Sequence, residues 1–215
     1  MVDNQAALLY TLSVKQVYNL VLKGGIRMKD RTDSHSRLFS MVLTGVMAAV
    51  ICVVSPWSIP IGEVPITLTQ IAIYITLYVL GWKRGTVSCL IFLLLGSFGL
   101  PVFSGFSGGL GKLLGPTGGY LIGYIPMCII GGLAIDHFRS PIMQGLGLVL
   151  AIAVCYAFGT AWYCIQSSVG LAAALAVCVY PFIPFDLIKI ILSVIVGRLL
   201  RSRLTTAGYI GKAAA

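Results

Sequence analysis

From residue 38 onward the chain alternates long apolar stretches with short polar or glycine-rich joints. The stretches run over residues 38–54, 65–80, 86–100, 117–135, 142–165 and 182–200. A helix that crosses about 30 Å of hydrocarbon needs roughly 20 mostly apolar residues, so the pattern predicts six spanning helices and hence an all-α membrane protein. Residues 168–180 are apolar too, but they are too few to cross alone. They are expected to belong to the connection between the fifth and sixth spans, packed on the protein.

Composition supports this. The 215 residues are 58% hydrophobic and only 10% charged, with a mean hydropathy of +0.98. A soluble fold cannot hide so much apolar surface, and the spans leave no room for a second globular domain. The formal net charge of +9 would suggest a nucleic-acid partner in a soluble chain, but the basic residues lie at the ends of apolar stretches and not in one patch. Cytoplasmic loops carry an excess of lysine and arginine. With the N-terminus inside, the inner segments hold Lys15, Lys23, Arg27, Lys29, Arg31, Arg37, Lys83, Arg84, Arg139, Arg198, Arg201, Arg203 and Lys212, whereas the outer segments hold only Lys112. A seventh span would move Arg198, Arg201 and Arg203 outside. The expected topology is therefore a six-helix bundle with both termini cytoplasmic. Residues 1–37 form a basic cytoplasmic or interfacial segment without the pattern of a signal peptide, residues 38–203 the membrane domain, and residues 204–215 a cytoplasmic tail. The six cysteines have neither CxxC nor metal-ligand spacing and are expected to pack as small hydrophobes.

A charge inside a span costs roughly 2.5 to 3.5 kcal/mol at a helix centre. Two residues stand out, Asp186 and Lys189 in the sixth stretch, YPFIPFDLIKIILSVIVG. Their i, i+3 spacing puts them on one helix face, where they either neutralise each other or serve a polar ligand. The topology places both within two turns of the outer surface. A second informative region is GLPVFSGFSGGLGKLLGPTGGY, residues 99–120, with eight glycines and two prolines in 22 residues. Such a stretch cannot be one continuous helix, and its glycines allow close backbone approach to a ligand. The pair Gly111 and Lys112 does not make a phosphate loop, because Phe106 stands where glycine and Leu113 where serine or threonine would be needed. In the first span Gly45 and Ala49 make a small-xxx-small pair, suited either to packing within the chain or to docking a partner helix. No catalytic constellation and no metal-ligand set is present. His35, His137 and Glu63 read as solvated or headgroup-facing groups.

On these residues the chain resembles the BioY family, the biotin-capturing membrane subunits (S components) of energy-coupling factor transporters. The resemblance covers residues 38–200 and rests on VPITLTQ (64–70), GLPVFSGFSGGLGKLLGPTGGYLIGY (99–124) and YPFIPFDLIKI (180–190). It implies a six-helix bundle in the bacterial cytoplasmic membrane that binds biotin near its outer face and is not an enzyme. It also implies work with a transmembrane coupling subunit and two ATP-binding cassette subunits. Biotin would be the transported substrate and not a cofactor. Gly45 and Ala49 resemble the family's docking face, with Gly45 where alanine is more usual.

Biotin's ureido ring offers two N–H donors and a carbonyl, so Asp186 is expected to accept from a ureido N–H and Lys189 to donate to the carbonyl or balance Asp186. Ser104 and Ser107 are expected to complete the hydrogen bonds, and Phe103, Phe106 and Tyr120 to form the apolar wall. The competing readings are an S component for another vitamin, a membrane-embedded acyl or prenyl transferase, and a structural assembly subunit. The transferase would need inward-facing acids, histidines or a metal set, and the assembly subunit would leave Asp186 and Lys189 without a ligand.

Overall fold

The computed structural model describes residues 38–59 and 65–206. The segment 1–37 with His35, Glu63 and the tail beyond Thr206 lie outside them. Helix α1 spans Leu38–Val54 and leads into two short strands, β1 (Ser58–Ile59) and β2 (Ile66–Thr67). There follow α2 (Thr69–Ser97), α3 (Leu110–Leu114), α4 (Gly118–His137), α5 (Pro141–Ser167), α6 (Leu171–Cys178) and α7 (Ile183–Thr206). From Thr44 onward the chain forms one compact unit.

The fold is mainly helical, with one departure from the all-α expectation. The second apolar stretch does not start as helix at Pro65. Ile66 and Thr67 instead pair antiparallel with Ile59 and Ser58. Both residues are β-branched, which favours extended backbone, and Pro65 lacks an N–H to donate.

α2 is not a straight rod. Gly81 interrupts it with φ +74° and ψ 176°, a conformation that is essentially glycine's own. In a straight helix residues 77 and 85 lie about 12 Å apart along the axis. Here a Cβ built on Gly85 falls 3.3 Å from the Leu77 Cα, so the chain reverses at Gly81 and α2 is a hairpin with legs 69–80 and 82–97. The join between the second and third apolar stretches is thus a single residue, tighter than the sequence pattern suggests.

A second break separates α6 from α7, which meet at 49°. Pro181 and Pro184 lie at the junction, where each removes a donor and fixes φ. α6 has eight residues, about 12 Å of rise, too little to cross a bilayer alone. Taken as continuous elements, α2, α4 and α5 are long and apolar enough to span, and α6 with α7 passes the same test as a bent pair.

The core contains Ile51, Ile73, Tyr74, Leu77, Tyr78, Phe92, Met127 and Leu148, all fully buried. The Ser88 hydroxyl donates to the Thr44 carbonyl at 2.9 Å, tying α1 to the second leg of α2. Outside, Leu94, Leu133, Ile142, Leu150, Phe158, Ile188, Ile191 and Ile195 are exposed, whereas Gln70, Asp186 and Lys189 are buried. Monomeric soluble proteins do not expose a continuous apolar girdle of this kind. A bilayer supplies its solvent, and the helices satisfy their backbone polar groups internally, as spanning elements must.

Two polar ends close the bundle. At one, the Gly81 turn, the end of α4 and the end of α7 meet: Trp82 N–H donates to Asp136 Oδ2 at 2.9 Å and Arg201 pairs with Asp136 at 2.9 Å. At the other end lie the strand pair, residues 98–117, α6 and the start of α7.

Candidate functional site

At this second end the start of α7 carries Asp186 in its first turn, where the helix dipole favours a carboxylate. Lys189 follows one turn later, so the spacing turns both side chains to one side. Their ion pair is formed: Lys189 Nζ lies 2.9 Å from Asp186 Oδ1, with Asp186 4% and Lys189 7% exposed. Two neutral residues extend it. Lys189 Nζ also donates to Gln70 Oε1 at 3.0 Å, and the Tyr156 hydroxyl donates to Asp186 Oδ2. Elements α2, α5 and α7 thereby converge on one polar knot.

The knot is incompletely satisfied. An ammonium has three donors and a carboxylate about four acceptor sites. Lys189 spends two donors and Asp186 accepts twice, so one N–H and about two lone-pair directions remain. The amide nitrogen of Gln70, itself 9% exposed, donates to nothing among the described residues.

These groups open into a cavity of ≈ 650 Å³ of empty space, its mouth included. Its apolar wall includes Phe92, Phe103, Leu121 and Phe182, and its polar wall adds Thr67, Thr69, Ser104, Thr117, Tyr120, Tyr124 and Lys112. The glycine-rich segment forms the lid side. It is pinned by Gly105 N–H to the Pro56 carbonyl at 3.0 Å and Gly109 N–H to the Gly96 carbonyl at 2.7 Å. The tight reversal 103–107 closes with Phe103 N–H donating to the Ser107 carbonyl at 2.9 Å. Phe103 is held edge-on against Phe92, with ring centroids 5.5 Å apart. Its ring lies so close to α2 that a Cβ on Gly96 would fall 2.1 Å from it. Close approach here requires glycine.

The structure brings Asp186, Lys189, Ser104, Phe103 and Tyr120 to this cavity. Phe106 and Ser107 are not part of its lining. Phe106 is 61% exposed and sits edge-on to Trp57 at 6.0 Å, because its φ of +56° turns it out of the reversal. The Ser107 hydroxyl donates to the Ser104 carbonyl at 2.8 Å and serves the turn itself. Tyr120 reaches across to α6, its hydroxyl donating to the Cys178 carbonyl at 3.3 Å. Gly45 and Ala49 lie exposed on α1, with nothing within 4 Å of a Cβ on Gly45. His137 belongs to the other end of the bundle. The six cysteines are free, and the described residues hold no group of three metal-ligating side chains.

Sequence reasoning did not single out Gln70, Tyr156 or Lys112 for this site. Gln70 closes the VPITLTQ motif and was visible as a polar residue within the second apolar stretch. Lys112 stood out as the basic residue of the outer segments and in a rejected phosphate-loop pattern, not as a group for this site. Tyr156 carried no signal, since a tyrosine in an apolar span needs no special reason.

Residues 28–206 match the profile of the BioY family. The chain belongs to that family. Among curated relatives it is similar to the biotin transporter BioY of Thermotoga maritima, with 37% identity over 73% of this chain and 92% of the relative. It is likewise similar to the probable biotin transporter BioY of Pyrococcus horikoshii, with 37% identity over 81% of this chain and 98% of the relative. Its fold matches the crystal structure of the S component for biotin from an energy-coupling factor (ECF) type ABC transporter, with a TM-score of 0.72 and 32% identity over 78% of this chain and 93% of that one. Family membership thus joins a transporter component's fold to this cavity.

Proposed function

We propose that this chain captures biotin in the cavity built on Asp186 and Lys189, and serves as the substrate-binding subunit of an ECF-type transporter. The observation that carries the proposal is the buried, incompletely satisfied pair at the cavity wall. A ureido ring supplies what the pair lacks: its N–H groups donate to the free lone pairs of Asp186, and its carbonyl accepts from the third Lys189 N–H or from the Gln70 amide. The apolar bicycle packs against Phe103 and Phe92. Lys112 is half-buried and lines the same cavity; its ammonium has no hydrogen-bond or ion-pair partner among the described residues, so it is the cation available to the valerate carboxylate. Similarity to relatives named as biotin transporters supports the choice of ligand.

The proposed topology is six spans with both termini in the cytoplasm. The α2 hairpin supplies two of them. Its shorter leg rises about 18 Å over 12 residues, and the extended residues 65–67 add about 10 Å, close to the hydrocarbon thickness. Lys83, Arg84, Arg139, Arg198, Arg201 and Arg203 belong to the Gly81 end of the bundle, which the positive-inside rule assigns to the cytoplasm. The cavity then opens outward. Uptake is proposed to require a coupling subunit, docked on the exposed Gly45 and Ala49 face of α1, and two ATP-binding cassette subunits, in the cytoplasmic membrane.

A thermal-shift screen of the purified chain against water-soluble vitamins tests the ligand. Biotin is expected to raise the melting temperature, while riboflavin, thiamine and folate leave it unchanged. A shift with one of those and none with biotin overturns the assignment.

A further inference from the structure

The opposite end of the bundle holds a second and larger cavity, ≈ 1350 Å³ of empty space including its mouth. Its walls come from α4, α5, α7 and the first leg of α2. Arg139, Arg198 and Arg201 line it, together with His137, and its single carboxylate is Asp136. Nothing in biotin capture uses it.

The local bonds leave the charge unbalanced. Both Asp136 oxygens are engaged, Oδ1 by Arg201 Nη2 at 2.9 Å and Oδ2 by the Trp82 N–H. Arg198 Nη1 donates only to neutral oxygens, the Arg139 carbonyl at 2.8 Å and Gln144 Oε1 at 3.1 Å. Gln144 has nothing left to offer, since its amide nitrogen donates to the Phe138 and Ile135 carbonyls and its oxygen also accepts from Tyr78. The Arg139 side chain has no partner among the described residues. Arg201 is 9% exposed, and its Nε is a buried donor without an acceptor. Three guanidinium groups against one carboxylate, both of whose oxygens are already engaged, leave two positive charges lining one space. Guanidinium forks match phosphate oxygens in geometry.

We propose that this cavity binds the phosphate of an anionic phospholipid headgroup on the cytoplasmic side, with Arg139 and Arg198 supplying the guanidinium contacts. Location favours a lipid over free phosphate. Ile142 and Leu146 on α5 and Ile195 and Leu199 on α7, next to the cavity residues in sequence, are exposed apolar side chains along which acyl chains can lie. Basic pockets between spanning helices at this level are a recurrent form of headgroup recognition.

Native mass spectrometry of the delipidated full chain tests this. Phosphatidylglycerol, phosphatidylcholine or inorganic phosphate is added to wild type and to Arg139→Gln/Arg198→Gln, with circular dichroism melting as the check on folding. Wild type is expected to retain one phosphatidylglycerol about tenfold better than phosphatidylcholine, and the double variant to lose that preference. Should the double variant not fold, Arg139→Gln alone, at an exposed and unpaired side chain, is expected to lower retention at least threefold. Equal retention of the two lipids by wild type, or undiminished retention of phosphatidylglycerol by a folded variant, overturns the proposal. So does binding of inorganic phosphate with no bound phosphatidylglycerol, which would make the site one for free phosphate.

Discussion

Replacing Asp186 with asparagine separates two roles that the buried pair can play. In the wild-type chain the Lys189 ammonium is 7% exposed and neutralised at 2.9 Å. Breaking a buried pair by removing one charge costs about 3 to 5 kcal/mol. Asparagine keeps one acceptor oxygen, so the low end, about 3 kcal/mol, is expected. For a chain of this size that is about 6 to 12 °C in melting temperature. Biotin binding should suffer as well, because a hydrogen bond to a charged group contributes about 1.5 to 3 kcal/mol. With one acceptor oxygen kept, one such bond lost amounts to at least about tenfold in Kd. The double variant Asp186→Asn/Lys189→Met tells the effects apart: with no lone charge left, most of the melting temperature should return while binding stays lost. The assays are thermal melting in detergent and equilibrium binding of radiolabelled biotin. A folded double variant that binds biotin within about threefold of wild type would refute the reasoning, leaving the pair as a packing device.

Three further outcomes follow from the geometry. Gly81→Ala forces a side chain into a glycine-only backbone conformation and brings its Cβ to 3.0 Å from Asp136 Oδ2; a loss of about 1 to 3 kcal/mol in stability is expected, read by thermal melting, with biotin affinity largely kept. Gly96→Ala drives the Phe103 ring toward the cavity, and overpacking of this kind costs about 1 to 3 kcal/mol, so weaker biotin binding should accompany a lower melting temperature. Lys112→Ala should weaken biotin binding about tenfold while leaving the affinity for biotinamide, which lacks the carboxylate, nearly unchanged; equal losses for both ligands would remove Lys112 from the carboxylate role.

What was legible in the sequence follows the size of the physical penalty. A charge within an apolar stretch is expensive, so Asp186 and Lys189 stood out by themselves. The glycines and prolines of 99–120 ruled out a helix and marked a shaped segment. Gln70 and Tyr156 are neutral, cost little in an apolar stretch, and reveal their role only when residues 119 and 30 positions away fold against them. Phe106 and Ser107, by contrast, were named on sequence proximity and lie outside the cavity lining. They belong to the same segment as Phe103 and Ser104, but the five-residue reversal keeps the first pair at the cavity and carries the second away from it, and sequence proximity does not say which. The arginines of the second cavity were counted as markers of topology, since basic residues at span ends are explained by the membrane alone. Only the bonds of Asp136 and Gln144 expose the surplus of charge. The Gly81 reversal falls in the gap between the second and third apolar stretches, yet its tightness depends on a backbone conformation that hydropathy does not register.

Binding of radiolabelled biotin to the purified chain, in detergent and with no other subunit, tests the central claim most directly. One biotin per chain, displaced by unlabelled biotin and not by riboflavin or thiamine, is the predicted result. A folded, monodisperse wild-type chain that binds no biotin would contradict it.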